Sequence, residues 1–178
     1  HTAKVLHTNN DLAITVLEDL GHMAILCGEL NQAKTFTRLG TDVATYLATS
    51  SFYHSDFYLE PAEKKALVQE FTNPELCSIT EELFFDDPYR TSERNNYPAE
   101  LEADVQRLQQ GPQLLRQVAQ LKSLFFSAPQ SLLHGDVHTG SIFVDQNSTK
   151  LIDPAFGFFG PIGFDLGSFI GNLLLNYC

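Results

Sequence analysis

The fold is decided by the stretch Leu-Leu-His-Gly-Asp-Val-His-Thr-Gly-Ser-Ile-Phe-Val (residues 132–144), followed by Leu-Ile-Asp-Pro-Ala-Phe (151–156) and Gly-Pro-Ile-Gly-Phe-Asp-Leu-Gly (160–167). Two short apolar runs, 142–145 and 149–153, flank a polar Gln-Asn-Ser turn at 146–148 and predict a β-hairpin. Asp136 precedes the first strand, and Asp153 ends the second. Because hairpin strands pair side by side, we expect both carboxylates to lie at the same end of the hairpin, opposite its turn.

The two acids fit the requirements of phosphoryl transfer. That reaction needs a carboxylate to take the proton of the acceptor hydroxyl, and Mg²⁺ held against the phosphates. Protein-kinase catalytic loops have the pattern H-R-D-x-x-x-x-N, with a second Asp after a hairpin. Here His-Gly-Asp (134–136) matches the first half, and Ser141 stands in place of the Asn. We therefore predict Asp136 as the base and Asp153 as a Mg²⁺ ligand, with His138 able to touch the transferring phosphoryl group.

Two simpler interpretations compete with this one. The string His134-Gly-Asp-Val-His138 resembles part of a zinc site, but no third ligand follows at metal-binding spacing. Asp153 is also a common residue type at the end of a strand. The spacing of the two acids, the hairpin between them and the glycines that follow favour the kinase-like site over both.

With His-Gly-Asp-Val-His-Thr-Gly-Ser (134–141), Asp-Pro-Ala-Phe (153–156) and Gly-Pro-Ile-Gly-Phe-Asp (160–165), the chain resembles the 5-methylthioribose kinases. These enzymes form part of the aminoglycoside-phosphotransferase-like branch of the protein-kinase-like fold. The resemblance runs through nearly the whole chain and also covers residues 16–20, 55–57, 73–77, 95–96 and 101–105.

The resemblance implies ATP-dependent phosphorylation of the C1 hydroxyl of methylthioribose, a step of methionine salvage, with ATP and Mg²⁺ as cofactors. It places Ser141 beside Asp153 at the metal. It also makes the backbone groups of Glu18 and Leu20 contacts for adenine. His134 and Asp165 become supports of the catalytic loop, although Asp165 on its own also suits a helix N-cap.

One residue departs from the family pattern. The family usually has Asp-x-Glu where this chain has Asp153-Pro154-Ala155, and the Ala155 methyl cannot coordinate a metal. If the lost carboxylate costs about 3–4 kcal/mol of transition-state stabilisation, turnover falls by several hundred-fold. We expect the chain as it stands to be inactive, because it lacks the Gly-rich loop and the strand Lys that a working kinase needs.

Composition narrows the choice of partners and compartment. The net charge of −11, with no basic cluster, argues against nucleic acid and against an anionic membrane as the main partner. Three widely spaced cysteines, Cys27, Cys77 and Cys178, show no pairing or metal pattern and suit a reducing cytoplasm. No apolar run of about 18 residues predicts a membrane span. A homodimer is an expectation, although no residue pattern in the sequence predicts one.

We predict an α+β fold, mainly the helical C-terminal lobe of a kinase-like fold with a catalytic hairpin. Residues 1–20 are expected to form the last strand of an N-terminal lobe and the hinge, including a buried strand at 12–17. Residues 21–178 are expected to form part of the C-terminal lobe, with most of the N-terminal lobe missing because the chain opens at His1 and stops in an apolar helix. Hydrophobic spacing predicts helices at 32–53, 62–71, 74–83, 101–110, 112–128 and 166–177, with Asn73 as a cap.

Two alternatives to the methylthioribose kinase remain open. One keeps the fold but changes the acceptor to an aminoglycoside, choline or another small alcohol, against which the His-Thr-Gly-Ser segment (138–141) argues. The other is a catalytically inactive pseudokinase or gene remnant, for which Ala155 is the main argument.

Overall fold

The computed structural model describes residues 1–177, which form the expected α+β fold. Helices make up most of it, and the strands form three small sheets. The strands are β1 (Val5–Asn9), β2 (Ile14–Leu17), β3 (Ala24–Ile25), β4 (Ser131–Leu133), β5 (Ile142–Val144), β6 (Thr149–Leu151) and β7 (Phe158–Gly160). The helices are α1 (Leu26–Leu30), α2 (Leu39–Tyr53), α3 (Pro61–Glu70), α4 (Pro74–Thr80), α5 (Glu102–Gln110), α6 (Pro112–Ser127) and α7 (Gly163–Tyr177).

The predicted hairpin is confirmed. Strands β5 and β6 pair antiparallel, with Ile142 opposite Leu151 and Val144 opposite Thr149. One carboxylate oxygen of Asp145 accepts the backbone N–H groups of Asn147 and Ser148, both at 2.7 Å, and so closes the turn. Strand β3 adds a third, antiparallel strand beside β5.

A second pair of strands closes the loop that contains both expected site acids. Strand β4 ends just before His134, and β7 begins just after Gly157. The two strands pair antiparallel, with Leu133 opposite Phe158. Residues 134–157 therefore form one long loop whose ends are held next to each other, with the β5–β6 hairpin projecting from its middle.

The core lies between α2, α7 and the hairpin. Its larger buried cluster joins residues from both sides of the catalytic segment, and a smaller cluster of Phe125, Leu133 and Phe158 packs under the β4–β7 ladder. Burying each large aliphatic side chain contributes about 1.5–3 kcal/mol, so the hairpin is held mainly by this packing. The larger cluster consists of Leu26, Leu39, Val43, Val137, Ile142, Val144, Leu151 and Phe169.

Helix α2 is also tied to the hairpin by a buried acid. The carboxylate of Asp42, only 2% exposed, accepts the backbone N–H of Thr149 at 3.0 Å. Its other oxygen lies 2.9 Å from the Arg38 guanidinium. A buried carboxylate is stable only when its oxygens are paired, so Asp42 links the helix to the strand that leads to Asp153.

The N-terminal strand differs from its prediction. Ala13 has a left-handed φ of 49°, so the strand begins at Ile14 and not at residue 12. It pairs only with β1, which the sequence pattern did not reveal. The side chains of Ile14, Val16 and Leu17 are exposed, contrary to the expected burial, because within residues 1–177 no other element covers the pair of strands β1 and β2.

Three helices differ from their predicted bounds. Helix α2 begins at Leu39 and not at residue 32, since Ala33 takes a left-handed φ of 56° that no α-helix accommodates. Helix α4 ends at Thr80 and passes into a π-helical turn, Glu81–Asp86. Helix α7 begins at Gly163, earlier than expected.

Two further sequence expectations can be compared with the structure. Cys27 and Cys77 are free thiols, and Cys178 lies outside the described residues. Among residues 1–177, no helix has both the length and the apolar character needed to cross a bilayer.

We predict that Asp42→Ala lowers the free energy of unfolding by about 2–4 kcal/mol, because it leaves the Thr149 N–H without its acceptor and Arg38 without its partner. Urea unfolding of the full-length protein measures the change. The control is Asp104→Ala, which removes an exposed acid that pairs with Arg107 at 3.2 Å and should cost less than about 1 kcal/mol. Equal costs for the two variants would contradict the anchoring role of Asp42.

Candidate active site

The loop that carries Asp136 is held from below by Asp165 in the first turn of α7. One carboxylate oxygen accepts the N–H of His134 at 2.8 Å, and the other accepts the N–H of Gly135 at 3.0 Å. Asp165 is 2% exposed, and this burial raises its pKa despite the two hydrogen bonds, which act in the opposite direction. Its carboxylate therefore holds the loop backbone by two hydrogen bonds, and it lies two residues inside the helix rather than at an N-cap.

Gly135 is required by the path of this loop. Its φ is +82°, and a Cβ atom would lie 2.1 Å from the carbonyl oxygen of Phe156. Only glycine accepts both the left-handed backbone and the close approach. The loop before Asp136 is consequently pressed against the segment that follows Asp153.

The His134 imidazole joins the two halves of the site. Its Nδ1 accepts the backbone N–H of Asp136 at 3.3 Å, and its Nε2 lies 2.9 Å from the carbonyl oxygen of Ile152. Because Nδ1 accepts and Nε2 faces an acceptor, the ring carries its proton on Nε2. One buried side chain thus connects the backbone of Asp136 to the residue that precedes Asp153.

Tyr46 of α2 packs beside this ring. The two ring centroids are 6.3 Å apart and the rings are nearly perpendicular, at 78°. Burial raises the pKa of Tyr46 to about 12, so its phenol stays neutral at ordinary pH. An edge-on aromatic contact of this kind restricts the orientation of the imidazole.

His138 is turned toward Asp136. Its Nδ1 accepts the N–H of Gly140 at 2.9 Å, and its Nε2 lies 3.4 Å from a carboxylate oxygen of Asp136. A Cβ atom at Gly140 would come within 2.6 Å of the His138 ring. Both side chains remain partly exposed, His138 by 41% and Asp136 by 31%, so the pair can reach a bound molecule.

Of the expected metal ligands, Ser141 lies directly before β5 and Asp153 lies two residues after β6. Asp153 is exposed, has a left-handed φ of 62°, and its carboxylate makes no hydrogen bond or ion pair to any residue in 1–177. Ser141 is buried, and its carbonyl oxygen accepts the N–H of Ile152 at 3.0 Å. Ser141 is thereby placed next to the residue that precedes Asp153.

This donor set suits a hard cation with few protein ligands. Mg²⁺ prefers oxygen and keeps several waters, and it commonly takes only one or two protein carboxylates. In the part of the chain that the structure describes, no group of three or more His, Cys, Asp or Glu side chains could hold a metal ion. The methyl group of Ala155 is exposed and adds no oxygen ligand.

The expected adenine contacts lie at the end of β2. Glu18 donates its N–H to the Lys4 carbonyl at 2.9 Å, while Leu20 accepts the N–H of Met23 at 2.8 Å. Within residues 1–177, the Glu18 carbonyl and the Leu20 N–H have no partner, which leaves one acceptor and one donor for a ligand. The Glu18 carboxylate pairs with Lys150 of β6, and this hydrogen bond lowers its pKa.

Two asparagines near the site were not recognised from the sequence. The side-chain oxygen of Asn172 lies 3.3 Å from the hydroxyl of Thr139 and so ties the catalytic loop to α7. Asn73 was predicted as a cap, but its side chain makes no capping bond and instead donates to the carbonyls of Ala155 and Gly157. The Asn172 contact joins residues more than 30 positions apart, and the Asn73 contacts join residues more than 80 positions apart, so no local sequence pattern predicts them.

Comparison with known proteins shows the family to which the chain belongs. The sequence pattern of the phosphotransferase enzyme family matches residues 17–176. Over all 178 residues, the chain is 55% identical to a methylthioribose kinase of Klebsiella pneumoniae, 54% to one of an Enterobacter species and 51% to one of Pectobacterium atrosepticum. The chain spans 44–45% of the length of these curated relatives.

We predict that the two bonds of His134 can be separated by substitution. His134→Asn keeps an acceptor at the Nδ1 position, whereas His134→Gln keeps a donor at the Nε2 position. Each should therefore lower the free energy of unfolding by about 1–2 kcal/mol, and His134→Ala by more than either. Urea unfolding of the full-length protein measures all three, and His7→Ala, at an exposed position, is the control. A cost for His134→Ala no larger than that of the control would contradict the bridging role.

Proposed function

Because the chain belongs to the phosphotransferase enzyme family, we propose that the full-length protein containing it transfers the γ-phosphoryl group of ATP to the C1 hydroxyl of methylthioribose. The observation that carries the proposal is the placement of Asp136, with His138 at 3.4 Å and with His134 linking its backbone N–H to the carbonyl of Ile152, the residue before Asp153. The named activity of relatives that are 50–55% identical over the whole chain supports the choice of acceptor.

In the proposed reaction, Asp136 accepts the proton of the attacking hydroxyl. The carboxylate is partly exposed, and its backbone is fixed by His134. Phosphoryl transfer depends mostly on positioning and charge, because the transition state is loose and its charge is spread over oxygens. An Nε2–H of His138 beside Asp136 can donate to the carboxylate or to an oxygen of the transferring group, which makes His138 the second proposed catalytic residue.

Asp153 and Ser141 would hold Mg²⁺, and the backbone groups of Glu18 and Leu20 would contact the adenine of ATP. A bound Mg²⁺ supplies positive charge to the phosphate oxygens. Asp153 offers a carboxylate without another partner in the described chain, and Ser141 is held beside its strand. With Ala155 in place of a second acid, the remaining oxygens would have to come from water and from the phosphates of ATP.

We also propose a lobe arrangement, a compartment and a set of partners for this enzyme. Residues 1–20, which contain β1 and β2, would provide the last strand and the hinge of an N-terminal lobe, and residues 21–178 would belong to the C-terminal lobe. The protein works in the cytoplasm, in methionine salvage, with ATP and methylthioribose as its small-molecule partners. A homodimer stays an untested expectation.

A second candidate function is that of an inactive relative, and Ala155 is the observation that favours it. Its exposed methyl group stands where the family usually has a metal-binding acid. The alternative of another small alcohol as acceptor has no comparable support, since the relatives compared above carry the name methylthioribose kinase.

We predict that the full-length protein phosphorylates methylthioribose with Mg·ATP. Asp136→Ala should lower turnover by about 10²–10⁴-fold because it removes the base. Ala155→Glu should raise turnover, by up to several hundred-fold, because it supplies the missing carboxylate. Steady-state assays of phosphate incorporation measure all three proteins, with Asp104→Ala as a surface-acid control.

The outcomes distinguish the candidate functions. Turnover of the unaltered protein above the Asp136→Ala background establishes a kinase that works with one metal carboxylate. Turnover only in Ala155→Glu establishes an inactivated site. No turnover in either the unaltered protein or Ala155→Glu would contradict the methylthioribose assignment.

A further inference from the structure

Asn73 lies in the connection between α3 and α4 and reaches across to the segment that follows Asp153. Its side-chain amide donates to the carbonyl oxygen of Ala155 at 2.9 Å and to that of Gly157 at 3.1 Å. Both N–H groups of a single amide are therefore used on one turn of another part of the chain. The backbone of Asn73 is left-handed, with φ 40° and ψ 54°, and this conformation directs its side chain away from the α4 N-terminus.

Besides Asn73, the turn between Asp153 and Gly157 is restrained by the bond of His134 to the Ile152 carbonyl before it and by the close approach of Gly135 to Phe156. Asp153, Pro154 and Ala155 are exposed, so packing contributes little to their position. Within the turn, the Gly157 N–H bonds to the Pro154 carbonyl at 3.0 Å. Just beyond it, the N–H of Phe159 bonds to the carbonyl of Phe71 at 3.3 Å.

The connection between α3 and α4 thus holds the metal-side turn from outside. The bonds from Asn73 fix the backbone at residues 155 and 157, and the bond at Phe71 fixes the following strand. Since Asp153 begins this turn, a shift of the Ala155 carbonyl changes the direction of the Asp153 carboxylate. Groups that orient a metal ligand typically change metal affinity by 10–100-fold when they are removed.

We propose that Asn73 is a positioning residue for the metal site: its amide sets the 153–157 turn so that Asp153 points toward the cation. This inference rests on the proposed function, because it takes Asp153 as a metal ligand. Asn73 does not touch the cation or the phosphates, and it acts through the carbonyls of Ala155 and Gly157.

Two variants of the full-length protein test the proposal. Asn73→Gly keeps a residue that accepts the left-handed backbone but removes the amide. Asn73→Asp keeps the shape of the side chain but places a carboxylate oxygen against the two carbonyls. The control is Asn147→Gly, in the exposed turn of the β5–β6 hairpin. Asp153→Ala is the reference for loss of the metal ligand itself.

The readout is the binding of Mn²⁺, as a probe for Mg²⁺, followed by electron paramagnetic resonance in the presence of a non-hydrolysable ATP analogue. We expect about ten-fold weaker binding in Asn73→Gly and in Asn73→Asp, and unchanged binding in Asn147→Gly. The Mg²⁺ concentration for half-maximal activity should rise by a similar factor, while KM for methylthioribose stays the same. A purely structural role would lower the thermal midpoint without weakening Mn²⁺ binding.

Mn²⁺ affinity within two-fold of the unaltered protein in the Asn73 variants, together with lost affinity in Asp153→Ala, would overturn the role of Asn73 and leave the proposed function intact. Unchanged affinity in Asp153→Ala would overturn the proposed metal site and the inference with it. If Asn73→Gly does not fold, Asn73→Asp alone decides between these results, because it preserves the size of the side chain.

Discussion

The arrangement of the site depends on one imidazole. His134 accepts the N–H of Asp136 on one side and donates to the carbonyl of Ile152 on the other. These two backbone groups belong to different halves of the loop 134–157. Since Asp153 follows Ile152 directly, the ring couples the position of the expected base to that of the expected metal ligand.

The rest of the scaffold keeps this ring in place. The β4–β7 ladder brings the two ends of the loop together, and Asp165 holds the N–H groups of His134 and Gly135. Asp42 fixes the hairpin to α2 at Thr149. A small polar set is sufficient because the larger apolar cluster already holds α2, α7 and the hairpin against one another. Packing sets the approximate position of the loop, and the buried polar groups set its conformation.

The sequence predicted those features that depend on neighbouring residues. The β5–β6 hairpin and the starts of α3 and α6, predicted at 62 and 112 and found at Pro61 and Pro112, follow from turn chemistry and local periodicity. Helix α7 forms where the sequence predicts a buried helix, but among its described apolar residues only Phe169 is buried. Features that depend on distant contacts escaped prediction. Asn73 resembles a cap in sequence, but its partners lie more than 80 residues away. The exposure of β2 likewise reflects which elements surround it and not its own apolar residues.

The link between Asp136 and Ile152 depends on the tautomer of His134, since only a ring with its single proton on Nε2 can accept from Asp136 and donate to Ile152. The most direct measurement is ¹⁵N nuclear magnetic resonance of the full-length protein labelled at the histidine nitrogens, with the His134 signals assigned from a variant that lacks this ring. We expect a protonated Nε2 and an unprotonated Nδ1. A proton on Nδ1, alone or together with Nε2, would contradict the bridge.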